Sequence, residues 1–137
     1  KGGPCSEELF NFANGMCLSP NGDYLYVVES FHPCISRLPI NGDGKFGKKE
    51  IFTEDIATVP DGLAFDKQDN LFISCYEPSR IYISDSKGST RLLIEDEHCT
   101  TLAHPTNISI SEDGKTMYTA NLGRWHITEI DISSLYN

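Results

Sequence analysis

A chain of 137 residues, 39% hydrophobic and 23% charged, has the length and composition of one globular domain. Its longest apolar stretches, about five residues, are far short of the ~20 that a transmembrane helix needs. A net charge of −9 opposes nucleic acid and anionic membrane as partners and suits a cation or a neutral ligand, although solubility alone explains most of these charges.

The predicted elements, in chain order, are short strands separated by turns rich in Asn, Asp and Gly. "EELFNF" at residues 7–12 reads as the fourth strand of a preceding or partner unit. Residues 13–54 hold "GMCLS", the turn "PNGD", "YLYVVES", "CISRLPI" and "KKEIFTE". "NGDGKFG" at Asn41 is a hairpin turn; it starts like a calcium loop, but no glutamate stands at the twelfth position. Residues 60–96 hold "GLAFD", "KQDN", "LFISCY", "RIYISDS" and "TRLLIED". Residues 105–132 hold "NISIS", "EDGK", "TMYTAN" and "HITEIDI", with no fourth strand. No helical periodicity persists for ten residues.

These segments are a repeat. Asn14, Asp61 and Thr106 head the three units, 47 and 45 residues apart. A period of roughly 40–50 with several strands per unit marks propeller blades. The predicted class is all-β: blades of four antiparallel strands, about three blades of a propeller. The first strand of a blade lines the central channel, so Asn14, Asp61 and Thr106 are expected at its mouth. Such oxygen-bearing side chains suit a hard divalent cation, while Asp before Gly is also an ordinary turn residue; the spacing leaves both readings open.

The five cysteines, Cys5, Cys17, Cys34, Cys75 and Cys99, are odd in number and lack zinc-site spacing, so reduced thiols in a cytoplasmic protein are expected. The chain starts at Lys1 without Met, which keeps a trimmed start and secretion open. Cys17 and Cys75 sit in apolar runs and are expected to resist thiol reagents. His104 and Asn121 fall near the expected channel mouth or a blade end; with Thr106 they are candidate substrate contacts, set against ordinary structural roles for each. His126 reads as a packing residue. No residues suggest an organic cofactor.

"ANGMCLSPNGDYLYVVES", "ISRLPINGDGKFG", "VPDGLAFDKQDNLFISCY" and "HPTNISISEDGKTMYTANLGRWHITEIDI" resemble the gluconolactonase / senescence marker protein (regucalcin) / luciferin-regenerating enzyme family, from about Phe12 to Ile132. The resemblance implies a six-bladed propeller holding one divalent metal, Ca²⁺ before Zn²⁺ or Mg²⁺, that hydrolyses lactones and related esters. It implies that Asn14 and Asp61 are metal ligands and that Asp61 is the catalytic base. It covers the C-terminal half of the family, so a glutamate ligand, another asparagine and a substrate-contacting arginine have no counterpart here. That predicts a homodimer or pairing with an N-terminal half-propeller, in which apolar faces bearing Leu25, Val27, Ile127 and Ile130 meet a partner. The alternative is a non-catalytic fragment acting as a binding or assembly module.

Overall fold

The computed structural model describes residues 2–136 and is built almost wholly from antiparallel strands. β1 (Ala13–Leu18), β2 (Tyr24–Glu29), β3 (Cys34–Pro39) and β4 (Glu50–Thr53) form the first sheet. β5 (Pro60–Phe65), β6 (Leu71–Cys75), β7 (Arg80–Ser84) and β8 (Thr90–Glu95) form the second. β9 (Pro105–Ile110), β10 (Thr116–Asn121) and β11 (Ile127–Asp131) form the third. Within each sheet the strands pair in chain order, as short hairpin turns dictate. A 3-10 turn at Ser133–Tyr136 folds back, and Tyr136 Oη donates to Asp66 Oδ2 at 2.7 Å.

Two cores lie between the three sheets. Tyr26, Val28, Ile35, Leu63, Leu71 and Ile73 fill the first. Phe72, Ile81, Leu102, Ile108 and Met117 fill the second. Alternation along β6 sends Leu71 and Ile73 to one core and Phe72 to the other. That is why "LFISC" lacks the regular apolar–polar alternation of a half-exposed strand: both faces are covered, and all five residues, Ser74 included, are buried.

Residues 7–12 form no strand. Three equivalent bonds fix their place in the repeat: Ser30 N–H donates to Phe12 O, Tyr76 N–H to Val59 O and Leu122 N–H to His104 O. Residues 7–12 thus match 54–59 and 99–104, the connections into β5 and β9, rather than the outer strands. They lie against the first sheet's preceding face. There Asn11 N and Nδ2 donate to Glu29 Oε2, and Lys49 Nζ donates to Leu9 O at 2.6 Å and Glu29 Oε1 at 3.0 Å.

This cover changes the expected outer faces. Val27 is 3% exposed, and Cys34 and Leu38 beside it are buried as well. Ile130 packs against the second core, whereas Ile127 is 72% exposed. Cys75 is fully buried in the first core, whereas Cys17 is partly buried against that core, and its strand neighbours Met16 and Leu18 face outward.

Candidate functional site

The first strand of every sheet enters through one backbone device. Phe12, Val59 and His104 have φ of 61°, 53° and 53°, two residues before Asn14, Asp61 and Thr106. For Val59, a β-branched residue, this is a genuine outlier that the surrounding structure must hold. The ladder bond onto each of these carbonyls supplies part of that hold. A β-bulge follows. β1 slips register between Ala13 and Met16, β5 slips between Pro60 and Gly62, and on the third sheet Ala120 pairs with Asn107 while Asn121 pairs with Pro105. Asp61 and Thr106 are therefore the extra residues of their bulges, and Asn14 lies within its own. Bulges re-aim a side chain away from the ladder, and they recur beside active sites.

Glycine brings these entrances together. A Cβ on Gly15 would collide with Asp61 O, and one on Gly62 would lie 2.7 Å from Thr106 O and 2.8 Å from the Asn107 Cα. Close approach of one inner strand to the next thus requires the glycine of "NG" and "DG". The third repeat has Asn107 at that place: Gly62 approaches it from the second sheet, and no further inner strand follows it among the described residues.

Asn14 is oriented by its neighbours. The Ser30 hydroxyl donates to Pro60 O at 2.7 Å, so Ser30 Oγ must accept from Asn14 Nδ2, 3.3 Å away. Asn14 Oδ1 therefore points away from Ser30. Ser30, 3% exposed, is a site residue that sequence reasoning missed; its signal is only a polar residue ending the run "YLYVVES".

Asp61 is half-buried, and burial alone pushes its carboxyl above the usual range, with no hydrogen bond or ion pair to offset it among the described residues. A neutral amide oxygen and an uncompensated carboxylate at adjoining strand entrances fit part of the oxygen shell of a hard cation. Among the described residues no three His, Cys, Asp or Glu side chains gather into a metal centre, so the pair is an incomplete shell.

The other candidates are tied into the fold. Thr106 Oγ1 donates to Ala120 O at 3.5 Å and stands outside the cation pair. Asn121 Oδ1 accepts from Ala103 N, and its Nδ2 donates to His126 O and Thr128 Oγ1, which spends the side chain on the entrance of the third sheet. His104 stacks on Tyr76, and its Nδ1 lies 2.9 Å from Tyr76 O. His126 Nε2 contacts Thr101 O at 2.9 Å, between the third sheet and its connection. A groove of about 520 Å³ lined by Asp66, Lys67, Asp113, Lys115 and Tyr136 lies at the far ends of β5 and β9, away from this pair.

A family model described as the SMP-30/Gluconolactonase/LRE-like region matches residues 5–103. A gluconolactonase of Zymomonas mobilis is 33% identical over 115 residues, 77% of this chain and 31% of that protein. Among solved structures, a gluconolactonase from Xanthomonas campestris aligns with a TM-score of 0.71 at 19% identity, covering 83% of this chain and 36% of that one. A calcium-binding regucalcin from Agrobacterium tumefaciens aligns at 0.64 and 18% identity, covering 85% and 40%. The chain thus spans about a third of the length of the curated relative. The structural likenesses carry the fold: the three sheets are propeller blades.

Proposed function

The chain belongs to the SMP-30/Gluconolactonase/LRE-like family, and on that premise we propose that it supplies part of a metal-dependent site hydrolysing a lactone or related sugar-acid ester at a propeller channel. A second copy, or an N-terminal half-propeller, would complete the ring and its ligands. The observation that carries this reading is Asp61, a bulge-held carboxylate raised by burial and left without a partner at the strand entrance adjoining that of Asn14.

Asn14 and Asp61 would hold the cation, Ca²⁺ before Zn²⁺ or Mg²⁺, and the cation would supply Lewis acidity toward the lactone carbonyl. Asp61 would accept the proton of the attacking water. That proton then passes to the alcohol oxygen released when the ring C–O bond breaks. Asn14 contributes an oxygen without adding charge, and Ser30 keeps that oxygen turned outward. The relatives' printed activities, gluconolactonase and calcium binding, favour this substrate class and metal. The alternative, an assembly module without catalysis, is favoured by the exposed Ile127 on the third sheet's outer face and the exposed Trp125 in the turn before β11.

The test is calorimetric titration of Ca²⁺ into the chain and into Asp61→Asn, alongside hydrolysis of glucono-δ-lactone with and without chelator. The near-isosteric change should keep the circular dichroism spectrum and lower cation affinity at least 10-fold. Unchanged affinity would remove Asp61 from the site. Cation binding without chelator-sensitive hydrolysis would favour the assembly module or a site awaiting its partner.

A further inference from the structure

Cys99 lies outside the proposed cation pair, in the connection between β8 and β9. Its Sγ is 3.9 Å from both His104 Nε2 and Asp96 O, either of which can accept its proton, and 3.3 Å from Ser79 Oγ. The protonation pattern follows from the partners. His104 Nδ1 faces Tyr76 O at 2.9 Å and Glu77 Oε2 at 3.3 Å, and both only accept, so Nδ1 carries the proton. Nε2 is then the bare nitrogen, and it faces the thiol. Ser79 Oγ accepts from His104 N at 2.9 Å, which leaves its own hydroxyl proton free for the sulfur.

The connection is held rigid. Asp96 Oδ2 accepts from the backbone N–H groups of Thr100, Thr101 and Leu102 and from Thr100 Oγ1, and Cys99 N donates to Asp96 O. Cys99 itself has φ of 51°, uncommon for a residue with a side chain. Arg124 Nε donates to Cys99 O at 3.1 Å, which brings one cation near the thiol against the carboxylates of Glu77 and Asp96. The thiol is half-buried rather than sealed.

We propose that Cys99 is a reactive thiol, activated by His104 and Ser79, that takes small uncharged electrophiles. The arrangement is a nucleophile beside a base, with the base oriented by a third group. The proton passes from Sγ to Nε2, and the Glu77 carboxylate and Tyr76 carbonyl face the resulting imidazolium. Ser79 donates to the thiolate. With an alkyl iodide, a sulfur electron pair forms the S–C bond as the C–I bond breaks and iodide leaves, and the histidine then releases its proton to water. Reactive cysteines combine partial exposure with such a partner. The other thiols differ: Cys34 and Cys75 are buried, burial pushes the Cys17 thiol up to about 12, and Cys5 is exposed.

The experiment is iodoacetamide labelling of the full chain, followed by peptide mass spectrometry, with Cys5 as the internal standard. At pH 6.5 Cys99 should react at least 10-fold faster than Cys5. His104→Gln should bring Cys99 down to the Cys5 rate, and Ser79→Ala should lower it several-fold, with Cys5 unchanged in both. A Cys99 rate at or below that of Cys5 in the wild-type chain would overturn the proposal whatever the variants do.

Discussion

The preceding face of the first sheet and the far face of the third are both ends of the stack, yet one is closed and the other open. On the first, Val27, Glu29, Cys34, Ser36 and Leu38 are all 3% exposed or less. On the third, Tyr118 is 39% and Ile127 72% exposed. The reason lies in the chain path. The connection entering a sheet crosses that sheet's preceding face: residues 7–12 at the first, 54–59 at the second, 99–104 at the third. Ala57 and Leu102 of the latter two are buried in the cores. Each entrance is tied by the residue ending the second strand. Glu29 accepts from Asn11 N, Asn121 accepts from Ala103 N, and Cys75 Sγ lies 3.9 Å from Ala57 O. The far face of the last sheet has no such cover among the described residues. Closure at one end and exposure at the other are thus built into the order of strands and connections.

Removing Glu29 would break this difference most severely. Burial raises its carboxyl, but hydrogen bonds from Asn11, Ser36 and Lys49, with the Lys49 charge, outweigh that and hold it below the usual range. Glu29→Ala leaves Lys49, 21% exposed, and the buried Ser36 without their partner, at a cost of about 3–5 kcal/mol. Urea denaturation measures it, and residues 7–12 should become protease-sensitive. A loss below about 1 kcal/mol would mean that the ion pair does not hold the cover. The pH dependence follows from the sign of the shift. A carboxyl lowered on folding contributes its full stability above the ordinary glutamate value, about 4.3, and loses it as pH falls through the folded value. The wild-type chain should therefore lose stability on acidification below that range, and Glu29→Gln should flatten that part of the profile.

A smaller effect sharpens the contrast between covered and uncovered faces. Gly62 abuts the following sheet, whereas Asn107, its counterpart, has no following sheet to abut among the described residues. Gly62→Ala drives a methyl into Thr106 O and the Asn107 Cα and should cost about 1–3 kcal/mol in the same denaturation assay. Asn107→Ala gives up its side-chain bond to Ile108 N, 3.0 Å long, and should cost about 1 kcal/mol or less. Equal losses at the two positions would contradict the close strand approach.

Least costly to the fold is a change on the open face. Ile127→Ser should alter unfolding by no more than about 0.5 kcal/mol. Sedimentation of the wild-type chain should detect association that grows with concentration, as expected of an exposed apolar face, and the variant should weaken it. Identical sedimentation of the two chains would place any self-association elsewhere.

The strands, their hairpins and the repeat heading at Asn14, Asp61 and Thr106 were legible because they rest on local rules: alternation along a strand, turn residues at fixed offsets, glycine where a strand must be approached. What the sequence left undetermined depends on distant partners. "EELFNF" has strand-like composition, yet it runs as a connection, because bonds to Ser30, Glu29 and Lys49, up to about 40 positions away, decide its path. Val59 and His104 show no sign in one dimension that their φ is positive, since ladder bonds and sheet packing impose it. Asp61 was readable as a candidate ligand, but its lack of any partner was not, and neither was the meeting of Cys99 with His104 and Ser79. Sequence patterns determined which residues form strands and turns, because those preferences act over a few neighbouring residues. Burial, pairing and protonation were decided only by the tertiary structure, because they depend on which remote groups exclude water and supply hydrogen bonds.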